Sequence, residues 1–402
     1  MSTSRVAARI RRIKPSPSSA AADRANELRR QGRVIVNLVV GEPDFDTPAP
    51  IRQAAARAIE AGATRYTANA GTLELRQAIA AKLARENGLD YAPTEIIVTS
   101  GAKSAIYSAL AATVEPGDEV IIPAPYWVSY PDMVLANEGT PVPVACPEQN
   151  GFKLTPAQLE AAITPRTRWL LLNSPSNPTG ATYSAAQYRA LADVLARHPH
   201  VLVMTDDIYE HIRFDGQATV HLLAAAPELR DRTVAINGVS KTYAMTGWRI
   251  GWAAGPRDLI GAVDTLLSQA AGNTCAVSQA AAVAALNGEQ SFVAESVTIY
   301  RERRDRMAQR INAIPGLSCA MPEGAFYLYV NCAGLIGRKT PDGRTLAADG
   351  DVVMYLLEHA GVAVVAGSAY GLSPYFRLSI ATDIETLLDG ARKIGDAVGE
   401  LR

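Results

Sequence analysis

The chain has 402 residues, 48% of them hydrophobic and 20% charged, the composition of a globular protein whose core is large enough to divide between more than one lobe. A formal net charge of −1 leaves no positive excess with which to hold nucleic acid or an anionic membrane. Apolar runs such as 119–123 and 201–205 are too short to span a bilayer. The scattered cysteines Cys146, Cys275, Cys319 and Cys332 show no Cys-x-x-Cys pair or metal-ligand spacing, which predicts free buried thiols in a reducing, cytoplasmic setting.

The first residues carry Arg5, Arg9, Arg11, Arg12 and Lys14 with no acid before Asp23, a composition shared by organellar transit peptides and amphipathic arms. The direct run into a helix-like stretch, 21–31, and then Gly41-Glu42-Pro43-Asp44-Phe45 favours an arm of the mature protein. Beyond it, short aliphatic or β-branched runs alternate with longer stretches of helical period, the pattern of βα units around a mostly parallel sheet. The predicted strands are 95–99, 119–123, 169–172, 201–205 and 233–237, with a sixth at 250–254. From about Gly288 a long charged helix follows over 292–313, whose basic run 301–304 reads as a solvated face. Residues 331–349, with Gly337, Pro341 and Gly343, read as an exposed loop. The expected fold class is α/β. Residues 1–48 form an N-terminal arm and part of a small domain, 49–290 a large domain with a mostly parallel central sheet and flanking helices, and 291–402 a smaller α+β domain.

In open parallel sheets, ligands sit beyond the carboxyl ends of the strands. The segments found there are Ser100-Gly101-Ala102-Lys103, Ala124-Pro125-Tyr126-Trp127, Asn173 to Gly180, Asp206-Asp207-Ile208-Tyr209 and Gly238-Val239-Ser240-Lys241. In the first, Gly101 allows close backbone approach and a helix is predicted to begin near Ser104, whose exposed amides suit a phosphate. A plain strand-to-helix turn reads the same way, and neither a P-loop spacing nor Gly-x-Gly-x-x-Gly is present. The last places Lys241 at a strand end with Arg249 further along the same segment. Desolvation and a neighbouring cation would lower such a lysine's pKa toward the free amine that carbonyl chemistry needs, whereas a lone lysine is ordinarily a solvated surface charge. Asp206 reads as a pocket carboxylate or as a helix N-cap. Trp127 and Tyr209 are core fillers when taken singly, but their place after successive strands favours function; Gly180 and Gly324 read as turn residues. Tyr126, Trp248 and Trp252 read as packing, and His198, His200, His211, His221 and His359 show no catalytic spacing. A pyridoxal 5'-phosphate site needs a lysine, a carboxylate for the pyridine nitrogen, phosphate donors and a substrate-carboxylate clamp; residues of each kind are present.

Taken in order, Gly41 to Phe45, Arg65-Tyr66-Thr67, Pro125-Tyr126-Trp127, Asn173 to Gly180, Asp206 to Tyr209, Ser240 to Gly251, Gly324-Ala325-Phe326-Tyr327 and Phe376-Arg377-Leu378-Ser379 resemble a known pattern. It is that of the fold-type I pyridoxal-phosphate aminotransferases of the aspartate aminotransferase family, in the bacterial branch of aspartate and prephenate aminotransferases. The resemblance runs from about Arg12 to Ala397. It implies Lys241 as the Schiff-base lysine, Asp206 as the pyridinium partner, Tyr209 and Asn177 as donors to the ring's phenolic oxygen, and Trp127 stacked on the ring. Gly101, Ala102, Lys103, Ser240 and Arg249 would hold the phosphate, together with Tyr66 from the second subunit of a homodimer with shared sites. Arg377 would bind the substrate α-carboxylate as a bidentate pair, with the Gly41 backbone, Trp127 and Asn177 alongside. An anionic Asp206 would keep the ring nitrogen protonated while Lys241, once displaced, moves the Cα proton.

In relatives of this branch the lysine at the position of Lys103 is assigned to the distal carboxylate, which favours aspartate and glutamate with an acceptor such as 2-oxoglutarate; the same lysine could serve the phosphate. No second arginine clamp stands in 268–279. Many relatives continue Lys-Pro-Ser with Ala-Thr, whereas this chain reads Lys14-Pro15-Ser16-Pro17-Ser18; Pro17 would alter a helix start that closes over the substrate. Prephenate or aromatic amino acid specificity therefore stays open. More remote readings are a lyase, decarboxylase or racemase on the same cofactor, which shares the carbanion, and a non-enzymatic cofactor-binding regulatory module. The near-zero net charge and intact Lys241 and Arg377 disfavour the module.

Overall fold

A computed structural model describes residues 5–15 and 17–402. After a short N-terminal strand, β1 (Val36–Asn37), the predicted aliphatic runs pair into one seven-stranded sheet. Its members are β2 (Ile96–Thr99), β3 (Glu119–Ala124), β4 (Thr140–Ala145), β5 (Thr167–Asn173), β6 (Leu202–Asp206), β7 (Thr233–Gly238) and β8 (Gly251–Ala254), ordered β2-β8-β7-β6-β5-β3-β4. Helices cover both faces, so β2, β7 and β8 are buried throughout, which is why they read as continuous apolar runs rather than alternating ones. Trp169 and Trp252 are fully buried against the sheet; a large side chain enclosed in this way stabilises by roughly 2–3 kcal/mol.

β4 is absent from the predicted strands. Pro141 and Pro143 lie within it and cannot donate to a ladder, but β4 is the edge of the sheet, where a strand tolerates proline. β8 is antiparallel to both of its neighbours, β2 and β7, while all other pairs in the sheet are parallel. Parallel neighbours need a crossover, usually helical; 239–250 has no α-helix and instead turns the chain back on itself.

A second, antiparallel sheet is built from β9 (Ser318–Cys319), β10 (Tyr327–Asn331), β12 (Val365–Ala366) and β13 (Tyr375–Ser379), in the order β12-β13-β10-β9. β1 pairs in parallel with β11 (Val362–Ala363), Val36 opposite Val362. Val36 and Leu38 consequently share a core with Leu328, Phe376, Leu378 and Ile394. Upstream, the helix Pro17–Arg30 sends Ala25 and Leu28 into a cluster with Val39 and Val365. Pro17 opens this helix, a position where its missing N–H removes no hydrogen bond; Ser16 lies outside the described residues.

Three further expectations are corrected. The long helix is Ser291–Asn312, but its basic run is not all solvated. Arg303 is buried and grips Asp44 through two bonds of 2.7 and 2.8 Å, and Arg304 donates to the Pro322 carbonyl. Such a pair ties the Gly41 to Phe45 segment to the long helix, a role that sequence periodicity cannot register. The 331–349 stretch is not simply exposed: Cys332, Leu335, Thr340, Leu346 and Asp349 are buried, and Lys339 bridges to Thr345. Cys275 is exposed while the other cysteines are buried, and none of the four is in a disulfide.

Candidate active site

The carboxyl ends of β5, β6 and β7 meet at a cavity of about 330 Å³. Asn173 and Asp206 line it from the strand ends, and Ser240 and Lys241 from the turn beyond β7. Gly41, Ala102, Lys103, Trp127, Asn177, Tyr209, Arg249 and Arg377 complete the predicted set within the same walls. Two predicted residues stand apart. Gly101 lies immediately behind the wall, and Tyr66 is 98% exposed and borders a separate surface groove with Asn273 and Cys275.

The helix after β2 begins at Ala102, earlier than the predicted Ser104, and runs to Thr113. Gly101, its N-cap, has φ +85°, and a Cβ there would stand 2.4 Å from Arg249 Nη2. Only glycine combines that backbone conformation with that closeness. Arg249, itself left-handed at φ 57°, donates to the Ser100 and Thr246 carbonyls at 3.1 and 2.9 Å. A guanidinium is thereby fixed beside the exposed amides of a helix start, an arrangement suited to an anion.

Asp206 is held from two sides. Asn173 Nδ2 donates to its carbonyl at 2.7 Å, and Tyr130 Oη donates to Oδ2 at 2.5 Å. Burial pushes its carboxyl up to about 6, opposed by the Tyr130 hydrogen bond and reinforced by neighbouring Asp207. Lys241 donates from Nζ to the Gly41 carbonyl. Its pKa falls to about 8, chiefly through burial, with Arg377 and Arg249 adding to the effect and Glu42 opposing it. The Tyr209 hydroxyl pairs with that of Tyr327 at 2.8 Å, and burial pushes it well above the ordinary phenol range.

Arg377 stands on β13 opposite Tyr329 of β10. Its Nη1 donates to Asn177 Oδ1 at 3.0 Å and its Nη2 to the Val39 carbonyl at 2.5 Å, with the guanidinium 4.3 Å from the Tyr327 ring centre. Its buried Nε has no partner among the described residues. A buried, unmatched donor on a cation is costly to the folded chain, and an anion in the cavity would satisfy it. Asn177 is fixed in turn by its backbone N–H, which donates to Asn173 Oδ1 at 2.8 Å. Lys103 Nζ lies 4.8 Å from the Trp127 ring centre, and its pKa is lowered by burial and by Arg249.

Sequence reasoning missed Tyr130, Tyr327, Val39, Ile106, Ile208 and Thr246, which also line the cavity. Tyr327 stands in the Gly324-Ala325-Phe326-Tyr327 motif, which could have pointed to it. Tyr130 carries no local signal, because its partner Asp206 is 76 positions away. Among the described residues, one cluster has metal-ligand types, Glu86, Glu210 and His211. The Lys82 ammonium already contacts both carboxylates there, so the cluster is a partly buried ion-pair network.

Residues 33–394 match the model of the family described as aminotransferase class I and II. The chain is 54% identical over 378 residues to an aspartate aminotransferase of Rhizobium meliloti, covering 94% of this chain and 92% of that one. It is 52% identical over 385 residues to an aspartate/prephenate aminotransferase of Cereibacter sphaeroides, covering 96% of each. Among solved structures, an aspartate aminotransferase from Rhizobium meliloti has a TM-score of 0.97 at 52% identity, over 99% of this chain and 100% of that one. The aspartate aminotransferase from Thermus thermophilus with maleate gives 0.90 at 38% identity, over 98% and 100%. A lysine, an acid and an arginine gathered in one buried cavity, within a chain matched almost end to end, lead to one conclusion: the chain belongs to the aminotransferase class I and II family and is an aminotransferase.

Proposed function

We propose that this enzyme moves the amino group of aspartate or glutamate to a 2-oxo acid such as 2-oxoglutarate, with pyridoxal 5'-phosphate as its cofactor. Lys241 carries the reading: it is half-buried, its pKa is brought to about 8, and it shares a cavity with Asp206 and Arg377. The residues fit that cofactor. Lys241 would hold the aldehyde, Asp206 the pyridine nitrogen, Tyr209 and Asn177 the phenolic oxygen, and Trp127 the ring face. The amides of Gly101 and Ala102, with Lys103, Ser240 and Arg249, would hold the phosphate; the crowding of Gly101 against Arg249 supports this. When bound, the cofactor supplies an electron-withdrawing ring that accepts the electrons left when a Cα–H bond breaks.

The chain's own groups do the rest. Arg377, immobilised by Asn177 and the Val39 carbonyl, binds the substrate α-carboxylate with the Gly41 backbone and Trp127 alongside. Lys241 Nζ, once freed by the incoming substrate amine and uncharged at mildly basic pH, would take the proton from Cα. Asp206 remains ionised through the Tyr130 hydrogen bond. Lys103 Nζ lies over the Trp127 ring, and burial and Arg249, with no carboxylate beside them, lower its pKa, which supports its use for the distal carboxylate of a dicarboxylic substrate. The Thermus thermophilus relative described with maleate, itself a dicarboxylate, supports the same class. A second reading, prephenate as acceptor, is favoured by the name of the Cereibacter sphaeroides relative; prephenate also carries two carboxylates, so Lys103 serves both.

The exposed Tyr66 supports a homodimer in which it reaches the phosphate of the partner's site. Division of the chain near residues 48 and 290 is supported by the pairing of β1 with β11, which joins the N-terminal segment to the C-terminal residues. Among the described residues no helix is long and apolar enough to cross a membrane, and the unpaired cysteines support a cytoplasmic setting. The test is a panel of half-reactions followed by the visible absorbance of the cofactor-loaded enzyme. Aspartate and glutamate are expected to react fastest. Rates no higher than those of alanine or phenylalanine would overturn the dicarboxylate reading, and a protein that stays colourless with the cofactor would overturn the cofactor itself.

A further inference from the structure

β6 ends on Asp206, and a second buried acid, Asp207, follows directly in the chain. Side chains alternate across a strand, so Asp206 meets Tyr130 at the cavity while Asp207 joins Thr205 on the opposite face. There Thr205 Oγ1 donates to Asp207 Oδ2 at 2.7 Å, and His221 Nε2 lies 3.2 Å from the same oxygen. His221 Nδ1 accepts the Leu223 backbone N–H at 3.0 Å, so that nitrogen carries no proton. The ring proton therefore sits on Nε2, facing Asp207, and the ring is neutral.

The other titratable groups on that face are matched or uncharged. Burial keeps Tyr91 and Tyr188 protonated, the first pushed up to about 12 and the second higher still. Arg230 has its own acid in Glu95 at 3.2 Å, and Arg213 has Asp215 at 2.6 Å. On the cavity side, Asp206 is faced by Tyr130, Tyr209 and Lys241. Asp207 is thus an anion behind the cavity that no adjacent cation among the described residues cancels.

We propose that Asp207 is a positioning residue for Asp206: fixed by Thr205 and His221, it keeps a second buried negative charge behind the cavity carboxylate and strengthens the site's hold on a protonated ring nitrogen. The inference rests on the cofactor reading given above. Two like charges back to back disfavour each other, and both gain when a cation is brought against one of them.

The experiment is a pH titration of the visible absorbance of the pyridoxal-phosphate-loaded enzyme. In Asp207→Asn the midpoint is expected to fall by about half a pH unit, because losing one negative charge makes nearby cations easier to deprotonate. Asp207→Glu, which retains the charge, should titrate as the wild type does. His221→Gln should also leave the midpoint in place, since a neutral ring takes no charge with it. An unshifted Asp207→Asn, or an Asp207→Glu that moves equally far, would overturn the proposal. So would a rise in His221→Gln, which would mean that a histidine cation had been cancelling Asp207. If Asp207→Asn does not fold, Asp207→Ser removes the same charge and is held to the same fall in midpoint. A wild type with no cofactor absorbance at all marks failure of the cofactor reading instead.

Discussion

Tyr130 donates its hydroxyl to Asp206 at 2.5 Å, with both side chains buried. The bond favours the charged carboxylate and opposes the burial that raises its pKa to about 6. Tyr130→Phe should therefore raise that value further. The acidic limb of kcat/KM with aspartate is expected to move up by about one pH unit, giving roughly fivefold lower activity near pH 6 and little change at pH 9. A pH profile of the half-reaction checks this; an unmoved limb would assign Tyr130 to packing alone.

Lys103 and Arg377 should separate by substrate. Lys103→Ala is expected to raise KM for aspartate and glutamate at least tenfold while changing alanine and phenylalanine by no more than about twofold. Equal losses for every substrate, accompanied by weaker cofactor retention, would assign Lys103 to the phosphate instead.

Arg377→Lys keeps the charge but loses the planar fork that Asn177 and the Val39 carbonyl hold in place. A reduction of kcat/KM by about a hundredfold is expected for all amino acids, with the cofactor's absorbance unchanged. Steady-state kinetics beside a spectrum of the same sample provide the comparison.

Stability should depend on the network behind the site. Burial would raise the Glu210 carboxyl, but the Lys82 ammonium and His211 overcome this and bring it down to about 2 from an ordinary 4.5. A depressed folded value contributes stability that is present above about 4.5 and is lost as pH falls through about 2. Lys82→Met leaves the carboxylate without its ammonium and should destabilise by about 3 kcal/mol at pH 7. The deficit should narrow toward pH 4, where the orphaned carboxyl takes up a proton. Thermal unfolding of both proteins at the two pH values measures it, and a constant deficit would point to lost packing.

Much of the site was legible because chemistry collects at strand ends, and strand ends are marked by apolar runs stopping at polar residues. Gly101, Asp206 and Lys241 each follow such a run. What stayed hidden depends on long-range contact. Tyr130 is defined by Asp206, Arg303 by Asp44, and Arg377's orientation by Asn177 and Val39; no local period encodes these partners. β4 was concealed by Pro141 and Pro143, whose cost depends on lying at an edge that only the assembled sheet reveals. Histidine spacing likewise gave no hint that His221 would stand against Asp207 across the back of β6.

The reversal of β8 against β7 leaves Lys241 and Arg249 on one uninterrupted stretch, 239–250. Had β8 run parallel to β7, the same connection would have had to cross to the opposite end of the sheet before β8 began, carrying Arg249 away from Lys241. Here one short turn keeps the amine and the guanidinium at the same end of the sheet and sets the spacing between them, so a change in its length would move one against the other.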